Sequence, residues 1–338
     1  MSLNSLYSEL YALLNESGAA SVVSHYKSDA SIERKLVPVL LDAPADEQLQ
    51  GAQTTDTGAM TKTLHADGSL GLIERYTAKP RLIILGGGHI SLALAEMAPH
   101  INFDTIIYDD RPSFANTQRF AKAKTVICDS FSRLSQHLSL GEGDYVVSLT
   151  RGHLHDKQCL EVILQGQEPA YTGMIGSRRR ATLVFEQLRN EGFNEERIAR
   201  IHSPVGLSIG AQTPSEIAVS IMAQIIKVKR NKTQPQFCAE LDLVEQVALK
   251  GFAPEAVITV LATEGSVPTE VGCKLGMTYE GSTAGTIGGG CSEAEAMRVG
   301  REVIKNSTWQ LLDIDLTDSA EDEGMVCGGT MQVLIEKV

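Results

Sequence analysis

Residues 82–111 constrain this chain more than any other stretch. Leu82-Ile83-Ile84-Leu85 is a short apolar run of the kind that forms a buried parallel strand. It leads straight into Gly86-Gly87-Gly88-His89-Ile90-Ser91, and then into Leu92, Leu94, Ala95 and Met97 at helical spacing. A strand, a glycine turn and a helix start follow in the order that a phosphate or dinucleotide site needs. Glycines let the backbone turn tightly and approach a diphosphate, and the helix start offers unpaired N–H groups. A second apolar run, Thr105-Ile106-Ile107-Tyr108, ends at Asp109. That acid lies about 20 residues on, where a Rossmann turn places its ribose-reading carboxylate. Ser91 stands where the pattern wants a third glycine. Gly86, Gly88, His89 and Asp109 are therefore candidate nucleotide-binding residues. Asp109 favours NAD, and Arg111 leaves NADP open.

Further short apolar runs, Ala123–Ile127, Tyr145–Leu149 and Tyr171–Ile175, alternate with helical segments. This alternation predicts a parallel sheet covered on both faces. The run ending at Leu149 empties into Thr150-Arg151-Gly152-His153-Leu154-His155-Asp156, whose two histidines and acid could ligate metal or move protons, or form a polar loop whose Asp156 helps start a helix at Lys157–Leu164. Ser177 is a good N-cap, and Arg178-Arg179-Arg180 follow it against the helix dipole, which makes sense beside a bound anion or if the side chains reach out to solvent or to acids nearby. Thr213-Pro214-Ser215-Glu216 predicts a capped helix start.

The expected fold class is α/β, a Rossmann-like parallel-sheet domain flanked by two smaller α/β domains. The expected boundaries are a small domain at 1–78, the Rossmann-like domain at 79–230, a polar linker at 231–238 and a cysteine-bearing domain at 239–338. In the first, Leu6, Leu10, Leu13 and Leu14 share a helix face. Ala20–His25, Lys35–Leu41 and Leu70–Arg75 read as strands, and Asp42–Thr63 reads as loop. No catalytic spacing appears there, so its expected role is structural or interfacial.

Composition narrows the partners. A net charge of −12 argues against nucleic acid or an anionic membrane as the main partner. No apolar run approaches the length of a membrane span, and the N-terminus lacks the pattern of a secretory signal. Six cysteines in 338 residues, none spaced as CxxC, are too sparse for a disulfide scaffold or a structural zinc site. A cytoplasmic protein with reduced thiols is the expectation.

The last hundred residues hold the densest glycine cluster, Gly285-Thr286-Ile287-Gly288-Gly289-Gly290-Cys291. Ser292 and Glu295 read as a capping box, which would set Cys291 just outside a helix start and favour its thiolate. The peptide N–H groups of Gly288, Gly289 and Gly290 would form an anion nest, against which Glu293 and Glu295 add negative charge. Cys327, in Val326-Cys327-Gly328-Gly329, is set among glycines in the same way. A soft sulfur beside an anion-binding backbone suits a thiol-reactive cofactor or a metal that takes sulfur ligands. Cys273 is a less specific candidate.

These motifs together resemble the XdhC/CoxI family, the accessory proteins of molybdenum hydroxylases such as xanthine dehydrogenase. The resemblance rests on Gly285–Glu295, Glu264-Gly-Ser-Val-Pro268, Cys327-Gly-Gly329, Gly86–His89, Thr150-Arg151, Gly173–Arg178 and Ile201–Gly206, and it covers about residues 70–338. The cysteine domain usually precedes the Rossmann domain, whereas here it follows. Residues 1–75 occupy its usual place and read as a decayed copy without GGGC, since Leu72-Ile-Glu-Arg75 resembles the usual lead into the nucleotide fold. The resemblance implies a non-catalytic carrier of molybdenum cofactor that assists its sulfuration and inserts it into a hydroxylase. The implied partners are the apo-hydroxylase, a cysteine desulfurase-type sulfurase and a second copy of the chain in a homo-oligomer such as a dimer. The implied cofactor contacts are Cys291, Cys327, Gly288, Gly289, Gly290, Ser177 and Arg178. Two alternatives stand beside it. One is an NAD(P)-dependent oxidoreductase with His153 or His155 as acid/base. The other is a scaffold that bridges hydroxylase and sulfurase and binds no cofactor.

Overall fold

The computed structural model describes residues 3–39, 53–231, 241–316 and 329–338. Cys238, Cys327 and all of the expected linker except Asn231 lie outside them.

The chain opens with α1 (Leu3–Ser17), which buries Leu6, Leu10 and Leu14 along one face and ends at Gly18 in a left-handed conformation. Five strands follow: β1 (Ala19–Tyr26), β2 (Ile32–Val37), β3 (Gln53–Asp56), β4 (Met60–Leu64) and β5 (Leu70–Thr77). They form a sheet in the order β2-β1-β5-β4-β3, antiparallel throughout. The expected loop from Asp42 to Thr63 therefore holds the β3–β4 hairpin in its described part. Its threonines read as polar in sequence, yet β-branching makes them good strand formers, and Thr61 and Thr63 are buried.

The middle of the chain alternates strand and helix, as its apolar runs predict. In order come β6 (Arg81–Leu85), α2 (His89–Met97), β7 (Asp104–Asp109), β8 (Thr125–Cys128), α3 (Leu134–His137) and β9 (Tyr145–Ser148). They are followed by α4 (His153–Gln165), β10 (Tyr171–Met174), α5 (Arg178–Asn190), α6 (Glu195–Ala199) and α7 (Pro214–Arg230). The sheet is parallel, in the order β10-β9-β6-β7-β8. Alternate residues of β6 enter opposite layers. Ile83 and Leu85 pack with α4 and α5, and Leu82 and Ile84 pack with α2 and α7. The chain reverses direction beside β6, which makes the glycine turn after it the topological switch point where ligands of such sheets bind.

The last segment comprises α8 (Asp242–Lys250), β11 (Ala256–Gly265), β12 (Lys274–Met277), β13 (Thr283–Gly285), α9 (Gly290–Asn306), β14 (Trp309–Asp315) and β15 (Gly329–Lys337). Its sheet runs β13-β12-β11-β15-β14, again antiparallel. The chain divides into two compact units, Lys79–Thr233 by itself and Met1–Ala78 together with Gln234–Val338. Inside the second unit, α1 packs on α8, and Val22 and Val257 share one apolar cluster. Two buried ion pairs join the segments. Lys274 Nζ stands 2.6 Å from Glu74 Oε1, and Arg34 bonds Glu336. Burial opposes the charge on Lys274, but Glu74 outweighs it, so the ammonium is held above its usual pKa. Among the described residues no helix is long and apolar enough to cross a membrane.

Candidate functional site

The cysteine loop follows β13. Gly285 is set tightly, since a Cβ there would lie 2.2 Å from the Lys274 carbonyl oxygen. Ile287 is fully buried and anchors the loop in the core of α9, β11 and β15. Gly288, Gly289 and Gly290 then take φ values of 110°, 77° and 66° in succession. Three consecutive positive φ angles explain the glycine triplet, because other L-residues carry a steric cost at each. Gly288 lies close against Pro268 and Thr269, whereas Gly289 and Gly290 face open space.

Cys291 is exposed and is the second residue of α9. The expected capping box is absent. Gly289 is the N-cap, the Ser292 hydroxyl turns inward to donate to the Gly289 carbonyl at 2.9 Å, and Glu295 pairs with Arg298. The glycines let the helix begin two residues before Ser292, so Cys291 sits inside the first turn rather than before it.

The nest exists, but its occupant belongs to the chain. Glu293 Oε1 accepts from the Thr286 hydroxyl (2.5 Å), the Ile287 N–H (2.9 Å) and the Gly289 N–H (3.0 Å). These donors are therefore not open to an added phosphate while Glu293 holds them. The loop donors thus do not fit an added anion in the nest. The sequence signal for Glu293 was its place in the first turn after a glycine loop, where a carboxylate can fold back onto N–H groups.

The second glycine-flanked cysteine motif leaves one described residue. Gly329 lies where a Cβ would be 2.5 Å from the Glu264 carbonyl oxygen and 2.7 Å from Val267. Gly288 and Gly329 thus both press on the Glu264–Thr269 turn.

In the parallel unit, Gly86 and Gly87 are packed by backbone. A Cβ would lie 2.4 Å from the Leu149 oxygen and 2.2 Å from the Phe114 oxygen, respectively. Gly88, the N-cap of α2, is open, and His89 is exposed beside it. Ser91 is fully buried, and its hydroxyl donates to the Gly86 carbonyl. Asp109 is 1% exposed. Its Oδ2 accepts from Gly87 N–H (2.7 Å) and Arg111 Nη2 (2.8 Å), and its Oδ1 from Arg111 N–H (3.0 Å) and Nε (2.8 Å). Burial works against its charge, but these donors prevail and hold its carboxyl below the ordinary value. Each oxygen already has two donors, so reading a ribose diol requires one of them to be given up.

The basic turn resolves into separate roles. Ser177 caps α5 by accepting from the Arg180 N–H, and Arg178 and Arg179 are exposed. Arg180 instead bonds Asp156, which is fully buried and also accepts from Thr150 (2.6 Å) and Ser148 (3.2 Å). Burial pushes the Asp156 carboxyl up despite these partners. Asp156 therefore ties α4 to α5, while His153 is exposed and the His155 ring lies 5.0 Å from that of Phe131. Away from this edge, His202 stacks on Tyr171 at 4.9 Å and lines a cavity of about 340 Å³ with Thr172, Arg197 and Arg200. Among the described residues no three His, Cys, Asp or Glu side chains stand together as a metal site.

Comparison with known proteins places these features in one family. The XdhC Rossmann domain matches residues 82–225, and the XdhC and CoxI family matches residues 250–315. The chain is 30% identical to the uncharacterized protein YqeB of Escherichia coli K12 over 295 residues, 79% of this chain and 53% of that one. It is 31% identical to a probable xanthine dehydrogenase subunit of Bacillus subtilis 168, over 47% of this chain and 46% of that protein. It is 24% identical to the molybdenum cofactor insertion chaperone PaoD of E. coli K12, over 46% and 42%. The chain spans about half the length of these curated relatives. Among solved structures, that of a xanthine dehydrogenase from Bacillus halodurans shares the fold, with a TM-score of 0.54 at 24% identity over 68% of this chain and 65% of that one. With both of its characteristic segments matched and the fold shared, the chain belongs to the XdhC and CoxI family.

Proposed function

We propose that this protein is an accessory factor that holds molybdenum cofactor and inserts it into a molybdenum hydroxylase of the xanthine dehydrogenase type. The observation that carries this reading is the placement of Cys291, an exposed residue, in the first turn of α9 directly after the left-handed glycines 288–290. The names of PaoD and of the B. subtilis protein support it. Bound cofactor would bring a dithiolene-held metal that accepts a soft sulfur donor.

Cys291 would supply that donor, and the positive end of α9 favours the thiolate form that binds metals. Glycines at 289 and 290 leave room for a bulky group to reach the sulfur. The pterin phosphate needs donors other than the loop N–H groups that Glu293 holds. Within the parallel unit by itself, Ser177 and Arg178, exposed at the start of α5, remain candidates for an anion. Cys327 is retained as a second sulfur. The apo-hydroxylase and a cysteine desulfurase-type sulfurase are the proposed partners, in the cytoplasm. The oxidoreductase alternative draws no support from Asp109, whose oxygens are engaged within the fold.

The test is Cys291→Ser, assayed anaerobically for cofactor retained on the purified protein and for activity gained by apo-hydroxylase. We expect a drop of roughly tenfold or more in both, the effect of losing about 1.4 kcal/mol or more of binding. Unchanged retention together with unchanged maturation would remove residue 291 from the mechanism.

A further inference from the structure

The two segments that make up the composite unit repeat each other in four of their five strands. The N-terminal sheet contains the order β2-β1-β5-β4, and the C-terminal sheet contains β12-β11-β15-β14. Each is preceded by a helix, α1 or α8, that ends at a left-handed glycine, Gly18 or Gly251. The registers agree to the residue up to the irregularity of β11 between Val260 and Ala262. Val22 lies opposite Glu74 as Val257 lies opposite Glu336. Ser24 lies opposite Arg34 as Thr259 lies opposite Lys274. Met60 lies opposite Glu74 as Trp309 lies opposite Glu336. The final strands still share a sequence trace, Leu72-Ile73-Glu74-Arg75 against Leu334-Ile335-Glu336-Lys337.

Under this equivalence Arg34 corresponds to Lys274, and Glu74 to Glu336. The two buried ion pairs, Arg34–Glu336 and Lys274–Glu74, are then one contact made twice, in reciprocal directions. The apolar contacts obey the same rule. One cluster joins Leu72 to its counterpart Leu334, with Met60 and its counterpart Trp309 packed there too. Reciprocal contact of equivalent residues is the signature of a two-fold, self-complementary interface.

We propose that residues 1–78 are a second copy of the cysteine fold that serves as its built-in partner. The covered face of the C-terminal copy is self-complementary. A further C-terminal copy placed there would set Lys274 against the partner's Glu336, and Glu336 against the partner's Lys274. The N-terminal copy has no cysteine, so the unit is a dimer-like body with one sulfur-bearing half, and self-association of the parent chain must use another surface. This inference is independent of what Cys291 binds.

The test uses the full chain. Arg34→Glu with Glu74→Lys sets like charges against Glu336 and Lys274 and drives the N-terminal copy off. Sedimentation velocity should then show about twice the parent mass, as the C-terminal copies of two chains pair. Adding Lys274→Glu and Glu336→Arg should restore the parent mass. A double variant that keeps its far-ultraviolet circular dichroism and the parent mass would overturn the proposal. If that variant unfolds, exchange of equivalent residues decides. Met60→Trp with Trp309→Met should melt within about 3 °C of the parent, whereas each single change should melt at least about 5 °C lower. An exchange variant no more stable than the single variants would also overturn it.

Discussion

At the scale of single residues, two carboxylates decide how the glycine turns behave. Glu293 holds the cysteine loop and brings a negative charge into the same first turn of α9 as Cys291. Glu293→Gln keeps an acceptor and removes that charge. A charge near a helix end is worth roughly 0.3–1 kcal/mol, so alkylation of Cys291 by iodoacetamide at neutral pH should quicken about two- to fivefold. Peptide mass spectrometry reads the rate at that residue, and a slower rate would show that the carboxylate activates the sulfur. Asp109 acts on stability. Its folded-state pKa is lowered, so the unfolded chain binds more protons in the acid range. Its contribution is full above about pH 4, the unfolded aspartate value, and disappears as pH falls through the lower folded value. Asp109→Asn should lose on the order of 1–3 kcal/mol at pH 7 and flatten the dependence of the urea midpoint on pH between 5 and 3. Asp109 was legible from its distance to the glycine turn. Its saturation by Arg111 was not, because sequence spacing shows where an acid lies and not how many donors reach it.

At the scale of elements, the parallel unit was the most readable part. Its strands are continuous apolar runs that end in turn residues, and its helix starts carry side-chain caps at Ser177 and Thr213. The β3–β4 hairpin was hidden because threonine looks polar while behaving as a strand former. The start of α9 was misplaced for a related reason. A serine followed three residues later by glutamate matches a capping box, yet glycines upstream allowed the helix to begin earlier. The loop yields an ordering of substitutions. Gly289→Ala meets no neighbour and suffers only from φ 77°, ψ −177°, at a cost of about 1–3 kcal/mol. Gly285→Ala adds a collision with the Lys274 carbonyl and should cost more. Denaturant unfolding of the two variants checks the order.

At the scale of the whole molecule, the composite unit was the least readable, because its partners lie far apart along the chain. A buried lysine or glutamate looks like an ordinary surface charge until the opposite sheet is in place. Lys274→Met leaves Glu74 buried without its cation and should lose about 3–5 kcal/mol. Lys274→Met with Glu74→Met should recover most of this, as apolar side chains replace the pair. Urea titration of both variants provides the comparison, and equal losses would mean that Glu74 finds another cation. Arg34 and Glu336 are separated by 302 residues. A ribosome adding about 5–20 residues per second makes the first of them roughly 15–60 seconds before the second. Throughout that interval the nascent β1–β5 segment carries a charged, greasy face with nothing to lean on, while the sequence-contiguous nucleotide-type fold behind it can already close. Synthesis of this protein therefore leaves the β1–β5 segment without its partner strands until β11 and β15 have been made.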